Sequence, residues 1–207
     1  MKKNSRKLAK TWPYIRHKNF EASLRSAARK WFASRGFATH PRMDYCLERH
    51  DLWPQNIICP DVAEYIQAEQ KRHLGEDYFP LHKYLHHGLS SQAMAFNLIG
   101  PLVVRKDFEP LRQCITGIGL DWPEGDVQAG FEQDDRDVFH EDAGQPTSID
   151  VTLTGKTGSV FMEVKLAQTE FGGCSVLQSI ENNSYLYFYV NRKIIISKNY
   201  QAGSIST

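Results

Sequence analysis

Apolar positions recur with helical spacing in the first half of the chain and with strand spacing in the second. Phe20, Leu24, Ala27, Ala28 and Trp31 mark one face of a helix, and Gly36 follows as a stop. Trp53-Pro54-Gln55-Asn56 reads as a turn. Asp61 is expected to cap a helix that carries Val62, Tyr65, Ile66 and Glu69 to about Leu74, with Gly75 ending it. Ser90-Ser91-Gln92 predicts a cap for a helix from Ala93 to Leu102, with Met94, Phe96, Leu98 and Ile99 mainly in the core. Residues 107–126 contain Gly117, Gly119, Pro123 and Gly125 and read as a connection. Val127 to Glu132 is the first core strand expected, and Asp134, Asp135, Asp137, Glu141 and Asp142 then form an acidic loop.

Two further runs, 148–154 and 159–165, are rich in β-branched and aromatic residues, and Gly155-Lys156-Thr157-Gly158 between them is turn chemistry. A turn centred on Lys156 and Thr157 sets Asp150 directly opposite Glu163. Opposed residues share a face of the sheet, and Lys165, two positions on from Glu163, joins them. Val151, Leu153, Phe161 and Val164 are expected on the opposite face, against a core. Two carboxylates side by side repel each other unless something offsets them. A divalent cation does so well, because Mg²⁺ takes one or two carboxylates and fills its remaining positions with water and phosphate oxygens. An ordinary hairpin with a solvated charged face is the plainer alternative.

An Asp, a short spacer and Glu-x-Lys on adjacent strands resemble the PD-(D/E)XK nuclease superfamily. Two longer strings, 161–165 with 169–175 and 90–102, are similar to a bacterial family of restriction-endonuclease-like nucleases. The resemblance spans about Leu81 to Val176. It implies an α/β fold, a restriction-endonuclease-like core with a small mixed sheet flanked by helices, here with a helical N-terminal extension. It also implies Mg²⁺-dependent hydrolysis of phosphodiester bonds, with DNA as the expected substrate. Asp150 and Glu163 would hold Mg²⁺, and Lys165 would position the attacking water and steady the transition state. The superfamily often adds an acid from the helix before the first core strand. That helix offers Gln92 and Asn97 instead, and the extra ligand stays unassigned, with Glu109 and Glu132 nearby. Gln92 and Asn97 are candidates for contact with a base or phosphate, and Gln168 for support of Lys165 or a metal-bound water.

The chain divides on this reading into a basic, helical extension (1–80), a nuclease-like core (81–176) and an atypical C-terminal segment (177–207). In that last segment 185–190 and 193–197 flank Asn191-Arg192 in a hairpin pattern, which if exposed would be prone to aggregation. An atypical or truncated end leaves a second reading, an inactive nuclease-like protein that at most binds nucleic acid.

Charge sharpens the picture more than composition does. The net charge is only +1, yet residues 1–35 hold eleven Lys or Arg against Glu21 alone, and residues 107–142 hold eleven acids against Arg112 and Arg136. A basic end suits contact with nucleic acid, although a solvated basic start is as common. Cys46, Cys59, Cys114 and Cys174 form no C-x-x-C pair, and scattered thiols fit a reducing cytoplasm. No apolar run reaches the roughly 18–20 residues that a membrane span needs, and the basic N-terminus lacks the apolar stretch of a secretory signal. His82 and His86 stand four apart, which raises a zinc-binding alternative with no third ligand in view.

Overall fold

The computed structural model describes residues 16–73, 79–134, 148–166, 186–190 and 193–199. Helix α1 (Arg16–Ser34) leads into a short antiparallel pair, β1 (Thr39–His40) and β2 (Met43–Leu47), and a 3-10 helix at His50–Asn56. Helices α2 (Pro60–Arg72), α3 (Ser91–Arg105) and α4 (Glu109–Gly117) follow. The strands β3 (Gln128–Asp134), β4 (Ser148–Gly155), β5 (Gly158–Val164), β6 (Leu186–Val190) and β7 (Lys193–Asn199) form one sheet in the order β3-β4-β5-β7-β6. Every pairing in it is antiparallel. The protein is α/β, with a small sheet packed by helices and a helix near the N-terminus, as expected.

Local chemistry explains the element ends. Gly36 takes φ +64° after α1, where the N–H of Phe37 reaches the carbonyl of Phe32 and that of Gly36 reaches Ala33. Glycine adopts this left-handed conformation without steric cost, and the paired bonds satisfy the last carbonyls of the helix. At α3, the Ser90 hydroxyl accepts the N–H of Ala93 at 3.2 Å, the cap predicted. Asp61 is not the cap of α2. Cys59 holds that position, Pro60 starts the helix and Asp61 lies in the first turn, where its charge favours the helix dipole instead.

The stretch 107–126 is not a plain connection, because α4 lies within it. Pro110 falls in the first turn, where its missing N–H does no harm, and Gly117 is the last helical residue. Leu111, Ile115 and Ile118 turn one side of this helix to the core.

The helices α2 and α3 cross closely at Gly100, where a Cβ would meet a Val62 methyl at 2.4 Å. Val62, Ile66, Phe96 and Ile99 then form one core with Val151, Leu153, Val160, Met162 and Val164 of the sheet. Phe96 meets Phe131 of β3 edge-to-face at 5.0 Å. Leu98 was expected to be mainly core but is 50 % exposed. Phe161 also departs from expectation. It pairs with Thr152 and therefore shares the face of Asp150, not that of Val151 and Leu153. It is buried there, outside the helix-facing core.

The C-terminal segment does form a hairpin, with β6 paired to β7. Its β7 strand also pairs with β5, Glu163 against Ile194 and Val164 against Lys193, so the outer edge of β5 is covered. No described helix is long and apolar enough to cross a membrane.

Candidate active site

The β4–β5 turn folds in the register expected, with Gly155 opposite Gly158 and Val151 opposite Met162. One residue beyond that last pair, the same register sets Asp150 across from Glu163. The Asp150 carboxylate then accepts the backbone N–H of Val164 at 2.5 Å, which fixes its orientation. Lys165, just past the end of β5, pairs its ammonium with the carboxylate of Glu163. Asp150, Glu163 and Lys165 are therefore brought together at one end of the sheet.

Their electrostatics are not balanced. Burial, and next the charge of Glu163, push the Asp150 carboxyl up to about 6, against the opposing pull of the Val164 N–H and Lys165. A third acid adds to the strain. Glu132 sits on β3, whose Phe131 and Gln133 pair with Val151 and Ile149 of β4. Burial and the neighbouring Asp150 raise the Glu132 carboxyl to about 7, although bonds from Gln92 and Ser148 partly stabilise its charge. The Ser148 hydroxyl lies 3.0 Å from it. Glu132 also has φ +51°, a conformation that costs a non-glycine residue about 1 kcal/mol or more.

The sequence reading named Glu132 only as a neighbour of the unassigned ligand. Its approach depends on how β3 pairs across residues 135–147, and no turn motif of fixed length sets that register.

Of the residues expected to contact substrate, Gln92 reaches this cluster and Asn97 does not. Gln92 is buried, donates to the carbonyl of Pro80 at 2.9 Å, accepts the N–H of His82 at 2.8 Å and bonds Glu132. Asn97 accepts the N–H of Ile58 at 2.7 Å and donates to the carbonyl of Asn56 at 3.0 Å, which ties α3 to the loop before α2. Gln168 lies outside the described residues. Among the described residues, no three His, Cys, Asp or Glu side chains form a group that could hold a metal ion, the histidines near His82 and His86 included. Asp150 and Glu163 nevertheless supply two oxygen donors, the number of carboxylates Mg²⁺ commonly takes.

A family model described as "Restriction Endonuclease associating with ARP" (REase-ARP) matches residues 25–201. The match runs on past Val176, where the resemblance read from the sequence ends, and takes in β6 and β7. No curated protein and no solved structure gives a significant match. With most of its length inside that model, and with its acids gathered at one end of an α/β sheet, the chain belongs to the REase-ARP family of restriction-endonuclease-like proteins.

Proposed function

We propose that the chain is a Mg²⁺-dependent endonuclease of the PD-(D/E)XK type that hydrolyses phosphodiester bonds in DNA. The observation that carries this reading is the opposition of Asp150 and Glu163 across β4 and β5, with Lys165 beside them. Repulsion between the two carboxylates is one of the forces raising Asp150, and a divalent cation between them would relieve it. Asp150 and Glu163 would hold Mg²⁺, with the Val164 N–H keeping the Asp150 carboxylate in place. An ion held there would supply Lewis acidity, for activating water and for offsetting the charge that develops on a phosphate. The ammonium of Lys165, tethered to Glu163, orients the attacking water and donates to a phosphate oxygen as negative charge builds on it. Gln92 has its amide committed to Pro80, His82 and Glu132, and so acts by positioning the acidic cluster.

The test is nicking of supercoiled plasmid in Mg²⁺, in EDTA, and by Asp150→Ala and Lys165→Ala. Nicking that needs Mg²⁺ and both side chains supports the reading. Nicking indifferent to EDTA and to both substitutions removes it. A second reading is a nucleic-acid-binding protein without turnover. Plasmid retention without nicking would establish it.

A further inference from the structure

A cavity lies toward the opposite end of β3 from Glu132. Its volume is about 750 Å³, and it opens between α2, the end of α3, the start of α4 and the chain entering β3. Gln128 and Ala129 line it, and they pair with Thr154 and Leu153 of β4. Asp150 is three residues along β4 from Leu153, a separation of about 10 Å. Nothing in the proposed phosphodiester chemistry uses this cavity.

Its lining mixes three kinds of chemistry. Tyr65, Phe108 and Trp122 supply aromatic surface. Arg72, Lys106 and Arg112 supply positive charge, offset by an equal number of carboxylates from Glu69, Glu109 and Asp126. The two arginines are held in place. Arg72 pairs with the largely buried Glu69 at 2.6 Å, and Arg112 meets Glu109 through two bonds at 2.7 and 2.8 Å. Each keeps N–H groups in reserve, since a guanidinium carries five.

Lys106 is the exception among the cations, with no partner among the described residues. It also ends α3 in the left-handed conformation, φ 53° and ψ 33°, where glycine is the usual residue. A lysine there accepts a backbone cost and places an ammonium at the cavity.

A lining with balanced charge does not suit a bare polyanion. It suits a ligand that carries an anionic group at one end and a flat ring with hydrogen-bond donors at the other. We infer that this cavity binds a nucleotide, with its phosphate at Lys106 and Arg112, its base against the aromatic side chains and an exocyclic amino group donating to a carboxylate. The volume is ordinary for a small-molecule site. The same chemistry is offered by a free nucleotide and by one unit of a single strand.

Calorimetric titration of the full chain in EDTA, which silences Mg²⁺ chemistry, tests this. The probes are adenosine 5′-monophosphate, ribose 5-phosphate and a deoxyadenosine trinucleotide. Lys106→Gly is the main variant, because its backbone already has a glycine conformation and the fold should be kept. The expected result is one adenosine 5′-monophosphate per chain, about tenfold weaker binding of ribose 5-phosphate, and about fivefold or greater weakening in Lys106→Gly, as for a lost charge-assisted bond. Arg112→Gln should weaken binding as well. A trinucleotide that binds about tenfold tighter, with the same dependence on Lys106, identifies a strand as the source, and equal affinity identifies a free nucleotide. Failure of both nucleotides to bind, equal binding of ribose 5-phosphate, or indifference to Lys106→Gly overturns the inference. Asp150→Ala is expected to leave the affinity unchanged, so this result stands apart from the nuclease reading.

Discussion

Glu109 and Glu132 are the same residue type and titrate in opposite directions. Glu109, at the start of α4, is exposed, and bonds from Arg112 and Gln113 hold its carboxyl down at about 2. Glu132, on β3, is pushed up to about 7 by burial and by Asp150. At one end of the sheet Glu69 and Glu109 each meet an arginine. At the other, Lys165 meets Glu163, and Asp150 and Glu132 are left in mutual repulsion. A fold gains nothing in stability from that repulsion. Under the function proposed above, a divalent cation would relieve it.

The largest expected effect is on activity. Asp150→Asn keeps the size of the side chain and removes its charge. It should lower Mg²⁺-dependent nicking by about a thousandfold or more, the scale for losing a group that acts in the transition state. Unfolding in denaturant should show the variant at least as stable as the parent. Retained nicking would break the contrast between the two ends.

Glu132→Gln should show the strain as stability. The raised carboxyl means that the folded chain binds more protons than the unfolded chain between about pH 4.5 and about pH 7. Stability therefore falls as pH rises through that window. Replacement by Gln should flatten the slope and add about 1–3 kcal/mol at pH 8. Denaturant melts at pH 5 and pH 8 check this, and a loss at pH 8 would contradict it.

The histidines in the loop before α3 sharpen the comparison from the opposite side. Burial lowers His82, His86 and His87, and neighbouring positive groups add to it. The stability that they contribute is present above about pH 6.5, their ordinary value, and is lost as pH falls through their lowered values. The rings of His86 and His87 lie 4.3 Å apart, so protonating both is unfavourable. His86→Phe should reduce the loss of melting temperature between pH 7 and pH 5, and an unchanged loss would assign it to other groups.

The smallest effect is expected at Glu109. Its pair with Arg112 is about half exposed to solvent, and Glu109→Gln should move the melting temperature by no more than about a degree, less in high salt.

How far the sequence foretold this site depended on the distance along the chain that each feature spans. The opposition of Asp150 and Glu163 was legible because a four-residue turn fixes the register of β4 and β5. The Ser90 cap and the hairpin of β6 and β7 are equally local. Non-local features were not legible. The pairing of β7 with β5 crosses residues 167–185, and that of Glu132 beside Asp150 crosses residues 135–147. Helix α4 was hidden because Gly117, Gly119, Pro123 and Gly125 read together as a connection, although Gly117 only ends the helix and the others lie beyond it. The placement of Phe161 needed only the alternation of side chains along β5, and its buried class hid its face. The bonds of Gln92 to Pro80 and His82 gave no pattern in the sequence, since backbone partners leave no residue signature.

Whether one divalent ion sits between the carboxylates of β4 and β5 can be measured without any turnover. Titration of the intact protein with Mn²⁺, followed by the paramagnetic signal of the free ion, should give one site per chain that Mg²⁺ competes for. Asp150→Ala and Glu163→Gln should each remove it. A protein that binds no ion, or binds it equally well after both substitutions, would contradict the account.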